Sequence, residues 1–238
     1  NLSPWKKITK IVLNTKRSVN IAIIGKYVNL KDAYKSLDEA LIHGGIANKV
    51  KVNLIRIESD KLEINQIRKK LKNISGLLIP GGFGKRGTEG KISAIKYARE
   101  NKIPFLGICF GMQMAIIEFA RNKLMLKKAG SSEFDKKCYP VIGLINEWDK
   151  NGKIFKGTDK DLGGTMRLGL YEAKLRNNSA IKKIYKSNSI QERHRHRYEV
   201  NNKFNADFKK KGLIFSGTSP DNLLPEILEI TSHPWFVG

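Results

Sequence analysis

Residues 104–117, PFLGICFGMQMAII, constrain the possible fold more than any other stretch of the chain. An apolar run typical of a buried strand ends at Cys109, which lies between Gly107 and Gly111, and residues with helical periodicity follow at once. The pattern predicts a strand, a sharp turn and a helix, with the thiol on the turn. Such a turn brings backbone segments close together, which is why small neighbours are favoured there.

The same turn predicts a reactive thiol. The first backbone amides of the following helix point towards the sulfur of Cys109, and with the helix dipole they favour a thiolate over a thiol. These amides, beginning with the N–H of Phe110, are suited to receive the negative oxygen of a tetrahedral intermediate. We therefore predict that Cys109 is a nucleophile. On this stretch alone, the alternative is a buried, inert cysteine between two packing glycines.

Strands alternate with helices through the first half of the chain. The apolar patterns predict strands at residues 19–25, 50–57, 75–80 and 103–108, and helices at residues 32–43, 64–71 and 91–101. This alternation predicts an α/β fold, with a mainly parallel sheet that carries helices on both faces. Cys109 then lies at the carboxyl edge of a strand, where open α/β sheets bind their ligands.

Beyond Leu124 the spacing is that of antiparallel additions to the main sheet. We predict strands near residues 141–145, 166–175, 213–216 and 226–231, and helices near residues 181–185 and 204–210. Residues 1–18 are polar and basic, and they predict an interdomain linker or an entering helix. Because the sequence has no internal repeat and no second core pattern, we expect residues 19–238 to form one domain.

Composition limits the classes of function. The net charge of +23 suggests nucleic acid as a partner, but the lysines are scattered and aromatic residues do not alternate with them as on a single-strand platform. We therefore do not expect nucleic-acid binding to be the main function. No apolar run could span a membrane, and the first residues lack a signal-peptide core. These features predict a cytoplasmic protein in which Cys109 and Cys138 are reduced.

A second glycine-rich segment, PGGFGKRG at residues 80–87, follows a predicted strand. Glycines let backbone N–H groups approach a ligand, and we predict that Gly82 supplies a second donor to the oxyanion beside Cys109. A phosphate-binding loop is disfavoured, because no Ser or Thr follows Lys85 and the required spacing is absent. A plain tight turn remains the alternative.

Residues 107–113, GICFGMQ, and residues 80–84, PGGFG, together resemble the class I (triad) glutamine amidotransferases. Residues 163–169, GGTMRLG, are more specific and resemble the CTP synthase branch of that family. The same branch is matched by three further segments, at residues 32–36, 192–201 and 233–237. The similarity covers essentially the whole chain, and it implies the fold of the C-terminal glutaminase domain of those enzymes.

The resemblance implies a pocket for free glutamine, whose ammonium and carboxylate need a fixed anion and a fixed cation. Glu133 matches the family's contact to the α-amino group, and Arg197 matches the arginine that holds the carboxylate. The other implied glutamine-binding residues are Gly82, Phe110, Gly111, Met112 and Gln113. From the residues alone, Glu133 could be a solvated loop acid, Arg197 part of a solvated face and Met112 part of the core.

The implied reaction begins when Cys109 attacks the amide carbon of L-glutamine and releases ammonia, and it ends when water hydrolyses the thioester. In the enzymes that the chain resembles, a separate N-terminal synthetase domain uses Mg-ATP to activate UTP, which the ammonia converts to CTP. The resemblance thus implies no cofactor or metal in this chain, and it implies a synthetase domain and a homotetramer as partners. Residues 147–164 match a mobile lid near an allosteric GTP site, where Lys156 and Lys160 would suit a phosphate.

The general base is the main departure from the family pattern. In the family it is a histidine in a His-Pro-Glu run shortly after the segment that residues 235–237 match, and the sequence given ends at Gly238. His233 matches another position. His194 and His196 lie among arginines whose charge disfavours a protonated imidazole, so we expect them to be scaffolding of the pocket.

We therefore expect this chain to bind or react with glutamine but to turn it over slowly. The rival interpretation is a noncatalytic module, either amidotransferase-like or a basic RNA-binding domain.

Overall fold

The computed structural model describes residues 2–28, 30–144, 149–150, 153–154 and 166–238. The strands in chain order are β1 (Ser18–Gly25), β2 (Lys51–Glu58), β3 (Gly76–Ile79), β4 (Phe105–Gly107), β5 (Ala129–Ser131), β6 (Tyr139–Leu144), β7 (Asp149–Lys150), β8 (Lys153–Ile154), β9 (Arg167–Leu175), β10 (Ser189–His196), β11 (Tyr198–Val200), β12 (Leu213–Thr218), β13 (Pro225–Ile230) and β14 (Phe236–Val237). The helices are α1 (Ser3–Asn14), α2 (Lys35–Ala47), α3 (Ile67–Lys70), α4 (Thr88–Glu100), α5 (Phe110–Asn122), α6 (Ala180–Tyr185) and α7 (Asn205–Lys210).

Nine strands form the main sheet, in the order β10-β9-β12-β13-β14-β4-β3-β1-β2. The five strands from β14 to β2 run parallel, and the four others join antiparallel. All four residues of β3 are buried, which requires that both faces of the sheet be covered at this strand because neighbouring side chains point to opposite faces. The predicted α/β fold with a mainly parallel sheet is confirmed.

Two predictions for the second half were incomplete. Residues 141–145 were expected to add to the main sheet, but β6 belongs to a separate three-stranded sheet of order β11-β6-β5. The charged residues 189–196 form β10, an eight-residue edge strand that the sequence did not predict. Its apolar content is too low for a period-two pattern, and its pairing with β9 fixes its conformation instead.

The core is centred on α5 and the parallel strands. Eleven consecutive residues of α5, from Phe110 to Ala120, are buried. The helix packs on β3, β4 and α4, and its other side meets β5, β6 and β11 of the small sheet. Since α5 starts directly after β4, these contacts hold the connection between the two elements in place.

The N-terminal helix α1 is attached differently. None of its residues is buried, and the apolar side chains of Trp5, Val12 and Leu13 are exposed. It contacts α2 only lightly. The interdomain-linker role of residues 1–18 stays a prediction. In the described part of the chain, no helix has both the length and the apolarity needed to cross a bilayer.

Candidate active site

Cys109 occupies the turn between β4 and α5, as predicted. Its backbone has φ 55° and ψ −105°, a conformation that few residues with a side chain adopt. The close approach explains the flanking glycines: a Cβ at Gly111 would lie 2.1 Å from the carbonyl oxygen of Ile79, and one at Gly107 would lie 2.7 Å from the carbonyl carbon of Gly111. The turn can form only with glycine at both positions, and it leaves the half-buried thiol at the sheet edge.

The amino end of α5 faces the thiol. Phe110 is the first residue of α5, and the first N–H groups of a helix have no acceptor within the helix. The neighbouring amides are used: the N–H of Gly111 donates to the Ile108 carbonyl at 2.9 Å, and that of Gln113 donates to the Cys109 carbonyl at 3.2 Å. The role of the Phe110 amide as an oxyanion donor stays a prediction.

The loop after β3 lies against the same thiol. A Cβ at Gly81 would be 3.6 Å from Cβ and 3.9 Å from Sγ of Cys109. Gly82, the predicted oxyanion donor, is the next residue in the chain. Lys26, at the end of β1, holds this loop: its ammonium donates to the carbonyl oxygens of Phe83 and of Gly84, the latter at 2.9 Å. The expected proximity of the two glycine-rich segments is thus observed.

Glu133 also belongs to this edge of the sheet. Its carboxylate accepts a hydrogen bond of 2.6 Å from the N–H of Gly84, which ties it to the loop that approaches Cys109. Burial raises the pKa of the Glu133 carboxyl, and the Gly84 amide and the Lys26 charge offset that effect only in part. Glu133 is half-buried and bonded to the glycine loop. It is therefore not the solvated loop acid that the sequence allowed as an alternative.

The other predicted pocket residues divide into two groups. Met112 is buried and belongs to the main core cluster. This agrees with the alternative that Met112 is a core residue. Gln113 is buried, and its side-chain amide donates to the Tyr198 carbonyl at 2.8 Å, so it links α5 to β11. Arg197 is half-buried between β10 and β11, next to that link. Met112 and Gln113 thus have structural contacts, and the carboxylate-binding role of Arg197 stays a prediction.

The protonation of the His196 imidazole is influenced by Cys109 and Glu199, which was not anticipated. Burial would lower the pKa of the His196 imidazole, but hydrogen bonds with Cys109 and Glu199, together with their negative charges, raise it to about 10. The Nδ1 atom of His196 is 3.2 Å from Oε1 of Glu199. The expectation that neighbouring arginines disfavour a protonated imidazole is therefore wrong for His196, because its interactions with Glu199 and Cys109 raise the pKa.

A buried network extends from this histidine. Arg167 donates to Oε1 of Glu199 at 2.9 Å and to Glu226 at 2.6 Å, and Glu226 lies 2.8 Å from Nε2 of His194. Burial would raise the pKa of Glu226, but His194 and Arg167 outweigh it and lower that pKa. His194 is thus scaffolding, as expected. His233 is likewise structural, since its ring contacts the Ala98 carbonyl at 3.4 Å.

A cavity of 160 Å³ is lined by Gly82 of the glycine loop and Phe110 of α5, with Lys26 and Lys91 also in its wall. Lys91 is only 2% exposed and donates to Ser59 Oγ at 2.8 Å. Burial, followed by the Lys26 charge, lowers the pKa of Lys91 to about 8. Among the described residues, no group of three or more His, Cys, Asp or Glu side chains is placed to hold a metal ion.

Sequence reasoning missed the interaction of His196 with Cys109 and Glu199, and with it Arg167 and Lys26. The spacing of His196 and Glu199 is a weak signal, because charged residues surround both. The predicted lid lysines Lys156 and Lys160 and the segment 163–165 lie outside the described residues.

The arrangement suits acyl transfer by a thiol. A sulfur at a strained turn, with amides from α5 and the glycine loop close by, provides the parts that a nucleophile and an oxyanion site require.

Comparisons with known proteins agree with this chemistry. The model of the family Glutamine amidotransferase class-I matches residues 29–238. The CTP synthase of Pelagibacter ubique is 76% identical over 238 residues, and that of Zymomonas mobilis is 55% identical over 241 residues. Each match covers 100% of this chain and 44% of the relative, so the chain spans less than half the length of these relatives.

A solved structure gives the same result. The glutaminase domain of Trypanosoma brucei CTPS, with bound acivicin, superposes with a TM-score of 0.80 at 34% identity, and the match covers 92% of this chain and 83% of that one.

Proposed function

Because the chain belongs to the class I glutamine amidotransferase family, we propose that it acts as the glutaminase domain of a CTP synthase. It hydrolyses the amide of L-glutamine and supplies ammonia for the ATP-dependent amination of UTP to CTP. The observation that carries the proposal is the position of Cys109, whose thiol meets both the amino end of α5 and the loop 81–84.

The proposed reaction passes through a thioester of Cys109. The Cys109 thiolate attacks the amide carbon of glutamine, and the carbonyl oxygen becomes an anion that the N–H groups of Phe110 and Gly82 receive. Collapse of this intermediate breaks the C–N bond, the nitrogen leaves with a proton as ammonia, and a thioester remains. Water then attacks the thioester and releases glutamate.

Glutamine specificity follows from Glu133 and Arg197. Glu133 is held by the Gly84 amide and supplies a fixed negative charge for the substrate's ammonium. Arg197, between β10 and β11, supplies the positive charge for its carboxylate. Gly111, Met112 and Gln113 shape the pocket through α5 rather than through their own polar atoms.

The remaining parts of the proposal concern the whole protein. Its partners are an N-terminal synthetase domain that binds Mg-ATP and UTP, and further copies in a homotetramer that responds to GTP. A nucleotide-consuming partner and two cysteines that are both thiols are consistent with a cytoplasmic location. The low turnover expected for this chain stays a prediction.

Labelling with acivicin tests the glutaminase assignment. We expect acivicin to modify Cys109, and free glutamine to protect it, because both ligands would occupy the same pocket. Peptide-resolved mass spectrometry measures the modification, and Cys138 serves as the control thiol in the same sample. Equal labelling of the two cysteines, or no protection by glutamine, contradicts the proposal. Salt-sensitive RNA binding without labelling would instead favour the noncatalytic basic module.

A further inference from the structure

We propose that Glu199 is a positioning residue, which holds residues 196–198 so that Arg197 can bind the carboxylate of glutamine. The inference deepens the proposed function and rests on it for the role of Arg197. It gives a buried ion pair, that of Glu199 with Arg167, a task in substrate binding.

Residues 195–198 lead from β10 in the main sheet to β11 in the small sheet, and both ends of this segment are in contact with the site. At one end, the guanidinium of Arg195 lies 5.8 Å from the ring centroid of Phe83 in the glycine loop. At the other end, the Tyr198 carbonyl accepts a hydrogen bond of 2.8 Å from the Gln113 side chain of α5. The segment therefore contacts the glycine loop and α5, the two elements that meet at the thiol.

The Glu199 carboxylate holds this segment through two contacts. Its Oε1 atom lies 3.2 Å from Nδ1 of His196, the residue directly before Arg197. The same oxygen accepts a hydrogen bond of 2.9 Å from the Arg167 guanidinium. The side chain of Glu199 is 4% exposed, so water does not compete strongly for either contact. Arg197 is thus preceded by a residue that Glu199 fixes and followed by one that α5 fixes.

Arg167 gives Glu199 an anchor in the main sheet. Its guanidinium also donates to Glu226 at 2.6 Å, and its central carbon lies 4.4 Å from the ring centroid of Tyr171. Because a guanidinium presents its donors in a planar fork, two bound carboxylates fix its orientation. Glu199 belongs to β11, whereas Arg167 and Glu226 belong to β9 and β13. The ion pair therefore joins the small sheet to the main sheet within two residues of Arg197.

Geometry, more than stability, is what such a buried ion pair supplies. Removing two charges from water costs free energy that their attraction roughly offsets, so the pair contributes little net stability. It does fix directions, because both partners must keep one orientation to remain hydrogen-bonded. The backbone whose direction is fixed here is the backbone that carries Arg197.

Steady-state kinetics of glutamine hydrolysis test the positioning role. In the complete protein, we expect Glu199→Ala to raise KM for glutamine about tenfold, because a misplaced Arg197 loses a charged hydrogen bond to the substrate. The kcat should stay within about twofold, since the carboxylate is remote from the reacting amide and its binding is the same in ground state and transition state. Glu199→Gln keeps an oxygen acceptor for Arg167 and should raise KM by less, about threefold.

Glu118→Ala is the matched control. Glu118 is fully buried and accepts hydrogen bonds of 2.7 and 2.8 Å from Arg99, so its truncation removes a comparable ion pair. It lies about 12 Å further along α5 than Phe110, away from the proposed pocket. We expect Glu118→Ala and Glu199→Ala to lower the free energy of unfolding by similar amounts, while only Glu199→Ala changes KM.

A substrate without the α-carboxylate separates Arg197 from the rest of the pocket. 4-Aminobutanamide has the amide and the ammonium of glutamine but no carboxylate. We expect Glu199→Ala to lower kcat/KM for glutamine about tenfold and to leave kcat/KM for this analogue unchanged. An equal fall for the two substrates contradicts the link between Glu199 and Arg197.

A folded Glu199→Ala protein with the wild-type KM for glutamine overturns the proposal, and so does an equal rise in KM in Glu118→Ala. Should Glu199→Ala not fold, Glu199→Gln decides by the same comparison, and an unchanged KM again overturns the proposal. Failure of the proposed function gives a different result, because acivicin labelling of the wild-type protein would then lack protection by glutamine. Protected labelling together with an unchanged KM in the Glu199 variants removes only the positioning role.

Discussion

The backbone of Cys109 is strained, and this strained conformation determines where its sulfur lies. At φ 55° and ψ −105° the Cβ is crowded by the main chain, a conformation that costs on the order of 1–3 kcal/mol in residues other than glycine. A different backbone conformation at this residue would change the direction of its side chain relative to α5 and the glycine loop. The packing of Gly107 and Gly111 against the neighbouring backbone holds the turn in place.

Two substitutions at this residue isolate the strain. We expect Cys109→Gly to have a free energy of unfolding about 1 kcal/mol higher than Cys109→Ala, because glycine adopts positive φ without a Cβ clash. Both variants lack the thiol, so the difference reports the backbone alone. Urea unfolding followed by circular dichroism measures it. A glycine variant less stable than the alanine variant would show that the turn is not strained.

At the scale of elements, the site depends on a loop that Lys26 and Glu133 hold. Lys26 reaches from the end of β1 to the carbonyl oxygens of Phe83 and Gly84, and Glu133 reaches the Gly84 amide from the opposite direction. The Lys26 ammonium also lies 5.3 Å from the ring centroid of Phe110, the first residue of α5. The two elements proposed to form the oxyanion site are thus connected through Lys26.

Removing that connection should impair hydrolysis more than thiol reactivity. We expect Lys26→Met to lower kcat for glutamine about tenfold or more, because a loosened loop no longer presents the Gly82 amide to the oxyanion. Alkylation of Cys109 by iodoacetamide should be little changed, since that reaction forms no oxyanion. Lys85→Met, at an exposed lysine of the same loop, is the control for steady-state kinetics. Equal kcat values for Lys26→Met and wild type would contradict the proposed role of the loop.

The sequence predicted those elements whose signal is local. The strands of the parallel half, the turn at Cys109 and the helix after it follow from apolar periodicity and small residues within about ten positions. Strand β10 could not be predicted in this way, because it is fixed by its pairing with β9 and by the contact of His194 with Glu226 in β13.

At the scale of the whole molecule, β14 joins the two halves of the main sheet. This two-residue strand pairs with the parallel strand β4 on one side and with the antiparallel strand β13 on the other. The ring of Phe236 in β14 packs on that of Phe105 in β4, with centroids 4.4 Å apart. The main core cluster includes both rings and extends from Ala22 in β1 to Leu213 in β12. The parallel and antiparallel halves should therefore unfold together.

Truncation of the buried ring tests this coupling. We expect Phe236→Ala to lower the free energy of unfolding by about 3–5 kcal/mol, because it removes a fully buried aromatic side chain between two strands. Phe83→Ala, at a phenylalanine that is 52% exposed, is the matched control and should change stability by less than about 1 kcal/mol. Native-state hydrogen exchange should find the loss of protection equal at the amides of β1 and β12. Loss confined to β12 and β13 would mean that the antiparallel half unfolds separately, and that β14 does not unite the sheet into one cooperative unit.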